Sequence, residues 1–408
     1  MMNKLAGGAG TAFSDVVPGR NGELEVLRTV AVLMVLLQHL PTNLMFWPSR
    51  YAGPMQDLGM WSGVDLFFAV SGFVIARGLL PQLQGVRDIR KFLHITVAFW
   101  IRRAWRLWPS AWFWLAAPLL LCILFNRTGS YGPFLANWSM AMAGVSNLAN
   151  FYEIAHFGQP GGVGTAFAQW SLSLEEQFYI ALPFAAFIFR RYLTLLMGFL
   201  LVYAFFVVHS PFSNDTRSGA FAAGVLLAIA SRHSFYADIA PVFLAGNRLW
   251  RIGVLLVSVA MLASFGNWSW SIVSFVLGPV AVISGLLVWV ASYGQGLLWR
   301  AGWPRRVMEM VAARSYSIYL VHIPVYFAMH EAWFRIYGSL VPTHKQAVVY
   351  FGVAILFIAL VAELNHRLLE RPLRERGKEI AGRYVLRMGQ MRASKKQISP
   401  AEQLAATD

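Results

Sequence analysis

Glu25-Val-Leu-Arg28-Thr-Val-Ala-Val-Leu-Met-Val-Leu-Leu-Gln-His39 is the stretch that decides the fold. Between Arg28 and His39 every residue except Thr29 and Gln38 is apolar, so the segment predicts a membrane-spanning helix rather than a surface helix. Eleven positions at about 100° each make roughly three turns, so both side chains project from nearly the same face, about 16 Å apart along the axis. Ionisable groups inside a bilayer cost free energy and mark a functional site or pathway. A cation toward one end and a titratable base at the other predict a site that works through the membrane.

The composition extends this reading to the whole chain. Its 408 residues are 57% hydrophobic and 13% charged, with a mean hydropathy of +0.53, which excludes an ordinary soluble globular protein. A formal charge of +15 would suggest nucleic acid as the partner of a soluble domain. Here the positive-inside rule accounts for it, and no nucleic-acid partner is expected. The single cysteine, Cys122, excludes a disulfide framework and any cysteine-based metal site. The first twenty residues lack a continuous apolar core, so no cleavable signal peptide is expected.

Apolar stretches at 24–41, 60–79, 110–126, 173–189, 192–209, 217–231, 252–266, 269–291, 311–329 and 346–363 predict an all-α polytopic bundle of about ten transmembrane helices. The sixth and seventh are short. Arg77, Arg87, Arg90, Lys91, Arg102, Arg103 and Arg106 fall in one connection. Arg190, Arg191, Arg232, Arg248, Arg251, Arg300, Arg305 and Arg306 fall on that same side, as does the basic end of the chain. The opposite connections carry only scattered Arg50, Arg127, Arg217, Arg335 and Lys345. Both termini are therefore expected in the cytoplasm. The expected domains are a cytoplasmic segment at 1–20, the transmembrane domain at 21–376, and a disordered basic tail at 377–408 lying against anionic lipid. The only long non-cytoplasmic connection, 127–169, is rich in Gly, Asn and aromatics and is expected to be functional.

Six motifs, in order along this chain, resemble the acyltransferase-3 family of bacterial inner-membrane O-acyltransferases. They are Arg28-x10-His39, then Gly63-Val-Asp65-Leu-Phe-Phe-Ala-Val-Ser71-Gly72-Phe, then Trp100-Ile-Arg102-Arg103-Ala-Trp-Arg106-Leu-Trp-Pro109. Trp170-Ser-Leu-Ser-Leu-Glu175-Glu176-Gln177-Phe-Tyr179 is the longest, followed by Ser315-Tyr316-Ser-Ile-Tyr319-Leu-Val-His322 and Leu369-Glu370-Arg371-Pro372. The resemblance covers about residues 20 to 376. It implies a multi-pass inner-membrane enzyme that moves an acyl group, acetyl by preference, from cytoplasmic acyl-CoA to a hydroxyl of an extracytoplasmic carbohydrate or glycolipid. No permanently bound cofactor or metal is implied. Where relatives often carry a His two residues before the Trp of Trp-Ser-Leu-Ser, this chain has Ala168, so no polar side-chain role is expected there. Longer relatives add a C-terminal span and an esterase-like domain that this sequence stops short of, so any second catalytic function is expected to come from elsewhere.

Acyl transfer from a thioester to an alcohol needs a base for the hydroxyl proton, donors for the oxyanion, and positioning of both substrates. His39, at the outer end of the first span, is the expected base; its plainer role is a hydrogen bond to a helix-end carbonyl. Asp65 and Glu175 open outside-to-inside spans and are each expected at a similar depth, where one could orient the imidazole; each could instead merely complement a helix dipole. Glu176 is left to pair elsewhere, with an Arg. Arg28 is expected to contact the donor rather than only snorkel, and Arg102, Arg103 and Arg106 to hold the phosphates of coenzyme A rather than only obey the charge rule. Glu25, Ser71, Glu176, Tyr316 and His322 are second-tier site residues; Ser71-Gly72 is read chiefly as a close helix contact, and Trp170 as interfacial belt. The rival reading is a transporter or flippase of a lipid-linked glycan using the same Arg, His and Asp as a proton relay, against which the lack of inverted repeats argues.

Overall fold

Asn21 caps the first helix, its side chain accepting from the Glu23 N–H at 3.0 Å, and α1 then runs over Gly22–His39. Pro41 cannot donate to the helical ladder, and the chain leaves α1 through a single π-type turn, Leu40–Leu44. The computed structural model describes residues 21–47, 58–156, 158–159, 162–208, 210–266 and 276–404. The expected N-terminal segment 1–20 and the start of the eighth expected span lie outside the described residues.

All regular structure among the described residues is helical. The main elements after α1 are α2 (Gly63–Leu83), α3 (Ile89–Leu124), α4 (Phe134–Val145), α5 (Ala149–His156), α6 (Gln169–Phe189) and α7 (Leu193–Tyr203). Then come α8 (Gly219–Ala230), α9 (Arg248–Phe265), α10 (Leu277–Ser292), α11 (Trp303–Ala313), α12 (Ser315–Tyr337), α13 (His344–Asn365) and α14 (Arg371–Leu404). Among the described residues six helical segments are long and apolar enough to cross a membrane. Two of the ten expected spans, α7 and α8, are 11 and 12 residues long. At 1.5 Å per residue such helices cover only about half of a bilayer's hydrocarbon thickness, so ten is an approximate count.

The two helices that carry the front of the site cross closely because both present glycine. A Cβ added at Gly72 of α2 would lie 2.5 Å from the Phe221 carbonyl oxygen, and one at Gly224 of α8 would lie 2.2 Å from that of Ala69. The contact is backbone on backbone and cannot yield by a rotamer change, which gives Gly72 the packing role read from the sequence. Gly224→Val is accordingly expected to destabilise the protein by about 3 kcal/mol or more, beyond ordinary overpacking. A thermal unfolding midpoint unchanged from wild type would contradict this.

Helix α3 is 36 residues long, well beyond one bilayer crossing. Its first half packs against α14, and here the structure differs from the loose basic extension expected after residue 376. Gly377 abuts Trp105, whose Cβ would lie only 2.4 Å from a Cβ added at the glycine, and Ala381 is buried. Small residues at helical spacing give α14 a flat stripe that lies against α3, so the basic segment is helical where its composition alone suggested a solvated chain.

The long connection between α3 and α6 is anchored rather than free. Buried Glu331, near the end of α12, accepts from the backbone N–H groups of Arg127 at 2.8 Å and Thr128 at 2.9 Å, and from Arg335 Nε at 2.8 Å. Burial alone would raise this carboxyl, but the Thr128 amide, the Arg335 guanidinium and the Arg127 amide outweigh it and hold it at about 2 against an ordinary 4.5. A depressed carboxyl contributes its stability in full above the unfolded value and loses it as pH falls through the folded one. Hydrogen exchange at the Arg127 and Thr128 amides is therefore expected to lose its protection between about pH 4.5 and 2 in wild type. In Glu331→Gln that pH dependence should be absent.

Candidate active site

His39 ends α1 beside α12, and its Nδ1 lies 3.0 Å from Nε2 of His322. The other nitrogen of His322, Nδ1, lies 2.6 Å from the Tyr319 carbonyl oxygen. A carbonyl only accepts, so His322 carries its proton on Nδ1 and its Nε2 is an acceptor. His39 must then donate from Nδ1, which leaves its Nε2 with a free lone pair. The rings stack with centroids 5.2 Å apart at 22°, and Phe167 packs edge-on against His39 at 5.3 Å. His322 is fully buried.

This arrangement corrects the expected orienter of His39. Asp65, in the first turn of α2, pairs instead with Arg217 Nη1 at 2.8 Å. Both side chains are 3% exposed, and the guanidinium lies between Trp61 and Trp170, 4.5 and 4.9 Å from their ring centroids. Trp170 is thus a buried cation-binding face rather than interfacial belt. Glu175 accepts from Ser71 Oγ at 2.8 Å and from the Tyr179 hydroxyl. Glu176 accepts from the Trp108 indole at 2.6 Å, not from an Arg. For Asp65 depth alone could not identify the partner, because a helix position fixes height but not which neighbour the side chain meets; Glu175 lies deeper than expected, in the pocket of Arg28.

At the opposite end of α1, Arg28 pairs with Glu25 at 3.0 Å and faces a pocket with Arg103, Arg106, Ser71 and Glu175. Arg103 lies over the Phe99 and Tyr179 rings. Arg102 is not among the residues lining this pocket. Pro183 contributes indirectly: with no N–H for the Tyr179 carbonyl, it leaves that oxygen to the Trp100 indole at 3.0 Å, which ties α3 to α6.

Three cavities adjoin one another from the arginine pocket toward α12, and none of the three is lined by His39 or His322. The arginine pocket shares Phe67, Glu175, Ser315 and Tyr316 with a second, apolar cavity between α1, α2 and α6. That cavity shares Leu172 and Tyr319 with a third beside Thr165 and Gln169. Tyr316 is held by the Leu107 carbonyl at 2.7 Å, and Tyr319 by that of Ala168 at 2.8 Å, with Ser171 Oγ at 2.5 Å from the same phenol. The cavities measure about 20, 30 and 20 Å³, each about the size of one water, so a substrate arm must displace side chains to pass.

Sequence reasoning missed an acidic group near the His39 end. Burial and then the charge of Asp215 raise the Glu153 carboxyl to about 9. Asp215 is itself raised to about 6 by burial, with Arg217 opposing. Glu153 lies in α5 and Asp215 in a short helix, Pro211–Thr216. The available signal was Asp215-Thr-Arg217 immediately before an apolar helix, a charged pair with no solvent-exposed segment after it. Among the described residues no group of three or more His, Cys, Asp or Glu is placed to hold a metal ion.

The acyltransferase-domain model Acyl_transf_3 matches residues 21–363. The chain is 24% identical over 385 residues to "O-acetyltransferase OatA" of Staphylococcus aureus, covering 88% of this chain and 58% of that protein. It is 24% identical over 423 residues to "Putative peptidoglycan O-acetyltransferase YrhL" of Bacillus subtilis, covering 90% and 56% respectively. The chain thus spans less than two thirds of the length of these relatives. No solved structure matches it.

Proposed function

The chain belongs to the acyltransferase-3 family, and from that premise we propose that it transfers an acyl group, acetyl by preference, from acyl-CoA to a hydroxyl of an extracytoplasmic carbohydrate. The printed name of the Bacillus relative, a peptidoglycan O-acetyltransferase, supports a glycan as acceptor class. In this reading the protein resides in a bacterial inner membrane with both termini cytoplasmic, and the Arg28 end faces the cytoplasm. The donor's thin pantetheine arm enters past Arg28, Arg103 and Arg106 and runs through the connected cavities toward His39. The acceptor reaches His39 from the other side, beside the 127–169 connection.

The observation that supports the reading is the contact between His39 and His322, which fixes the His39 tautomer with Nε2 as the acceptor, while Arg28, Arg103 and Arg106 gather round a pocket toward the other end of α1. Nε2 takes the acceptor's hydroxyl proton as that oxygen attacks the thioester carbonyl. The tetrahedral intermediate collapses to the ester and expels the CoA thiolate, which recovers the proton from the imidazolium. No protein nucleophile is required. Asp65 and Arg217 shape the acceptor end rather than sharing the proton.

The test uses purified protein in nanodiscs with radiolabelled acetyl-CoA and a crude extracytoplasmic glycan fraction. Label should pass to glycan with wild type and not with His39→Ala of equal thermal stability. Equal labelling by both would overturn the role of His39. Acceptor movement without CoA consumption would point instead to transport.

A further inference from the structure

A second cluster of arginines lies outside the passage. Arg87, between α2 and α3, Arg190 and Arg191, between α6 and α7, and Arg232, after α8, all line one open cavity of about 460 Å³. Its remaining wall is largely apolar, built from Leu80, Leu83, Val86, Ala186, Leu193 and Ile229. The positive-inside rule explains why arginines occupy this end of the bundle, but not why three separate connections converge on one cavity. The ion pairs found among the described residues include none of these four arginines. Arg232 donates to Gln84, Arg190 to the Phe187 carbonyl and Arg191 to the Tyr192 hydroxyl. The neighbouring acid, Asp88, caps α3 through the N–H groups of Arg90 and Lys91.

The backbone supplies a second, independent observation. Arg190 has φ 49° and ψ −112°, a conformation that glycine adopts freely and a residue with a Cβ rarely does. Strained positions of this kind gather at ligand clamps. Here the strained residue sits where α6 turns into α7 and lines the cavity.

We infer that this cavity binds phosphate groups, with the four guanidinia taking phosphate oxygens in the bidentate manner of arginine and the apolar wall taking the rest of the ligand. Two sources carry that chemistry. One is the phosphoadenosine end of acyl-CoA: the cavity shares α2 and α6 with the Arg28 pocket and lies roughly 10 Å further along them, from Tyr179 to Ala186. This source rests on the proposed donor. The other is the headgroup of an anionic phospholipid, which does not.

The experiment measures binding of adenosine 3′,5′-bisphosphate to the full chain in phosphatidylcholine nanodiscs, and retention of phosphatidylglycerol by native mass spectrometry. Wild type is compared with Arg190→Gln/Arg191→Gln and with Arg87→Gln/Arg232→Gln. Loss of at least about ten-fold in bisphosphate affinity in both double variants identifies the nucleotide, and the preference for acetyl-CoA over acetyl-pantetheine should shrink in step. Loss of retained phosphatidylglycerol, with no bisphosphate binding to wild type, identifies the lipid headgroup. Arg190→Gly keeps the inference testable if the double variants misfold, because it relieves the backbone while removing one guanidinium: it should unfold no earlier than wild type yet bind more weakly. If neither ligand's binding depends on these arginines, the inference is overturned. Phosphate binding that persists when no acyl donor supports transfer leaves this site standing while the donor reading falls.

Discussion

His322→Leu is expected to lower the rate of O-acyl transfer by about ten- to a hundred-fold, while His39→Ala lowers it by about a thousand-fold or more. The difference follows from what each imidazole does. His39 is proposed to exchange the proton, whereas His322 only fixes which nitrogen of His39 carries it, through the chain from the Tyr319 carbonyl to His322 and on to His39. Leucine removes the acceptor opposite His39 Nδ1 and frees the ring to take the other tautomer or to turn. Glutamine offers a carbonyl oxygen within similar reach, so His322→Gln should recover much of the loss. That rescue separates positioning from packing, since a merely space-filling role would be served by leucine as well. The double variant His39→Ala/His322→Leu should be no worse than His39→Ala alone, because the second residue acts through the first. Single-turnover rates with labelled acetyl-CoA would check all four proteins, and additive losses would contradict the chain of hydrogen bonds.

The helical membrane architecture was legible because long apolar runs leave few alternatives, and the Arg28-to-His39 spacing set one face of one helix. What could not be read was azimuth. His39, Asp65 and Glu175 were placed at one height from span direction alone, yet packing turns Asp65 toward Arg217, Glu175 toward Ser71 and Tyr179, and His39 toward His322. A triad-like pairing of His39 with an acid was the economical reading of depth; for Asp65 it lost to the rotation of α2 about its own axis, and for Glu175 to depth itself, because that carboxylate lines the Arg28 pocket. Arg217 was passed over for a related reason. A lone cation in a polar connection looks solvated until the fold brings two tryptophans and a carboxylate around it. The end of the chain was misread through composition: charge suggested a loose segment, while Gly377 and Ala381, four residues apart, carried the packing signal.

Breaking the Asp65–Arg217 pair is expected to cost about 3–5 kcal/mol, the largest stability effect of any single change proposed for this protein. Both partners are 3% exposed, so removing one leaves the other as a buried charge with no water to take its place. Arg217→Ala strands the Asp65 carboxylate and also vacates the space between Trp61 and Trp170, forfeiting about 1–2 kcal/mol of cation–π attraction. Asp65→Ala strands the guanidinium, whose Nε and Nη2 already lack hydrogen-bond partners. Replacing both with apolar residues of similar volume, Asp65→Leu with Arg217→Met, should therefore be much less damaging than either single alanine change and approach wild-type stability. Arg217→Lys should not rescue, because a compact ammonium cannot stack its plane against two indoles while reaching the carboxylate. Thermal unfolding in nanodiscs would rank the four variants. The same double variant then separates stability from function: if it folds like wild type but transfers no acyl group, the pair serves the acceptor end of the site, whereas full transfer would make Asp65 and Arg217 a structural clasp between α2 and the start of α8.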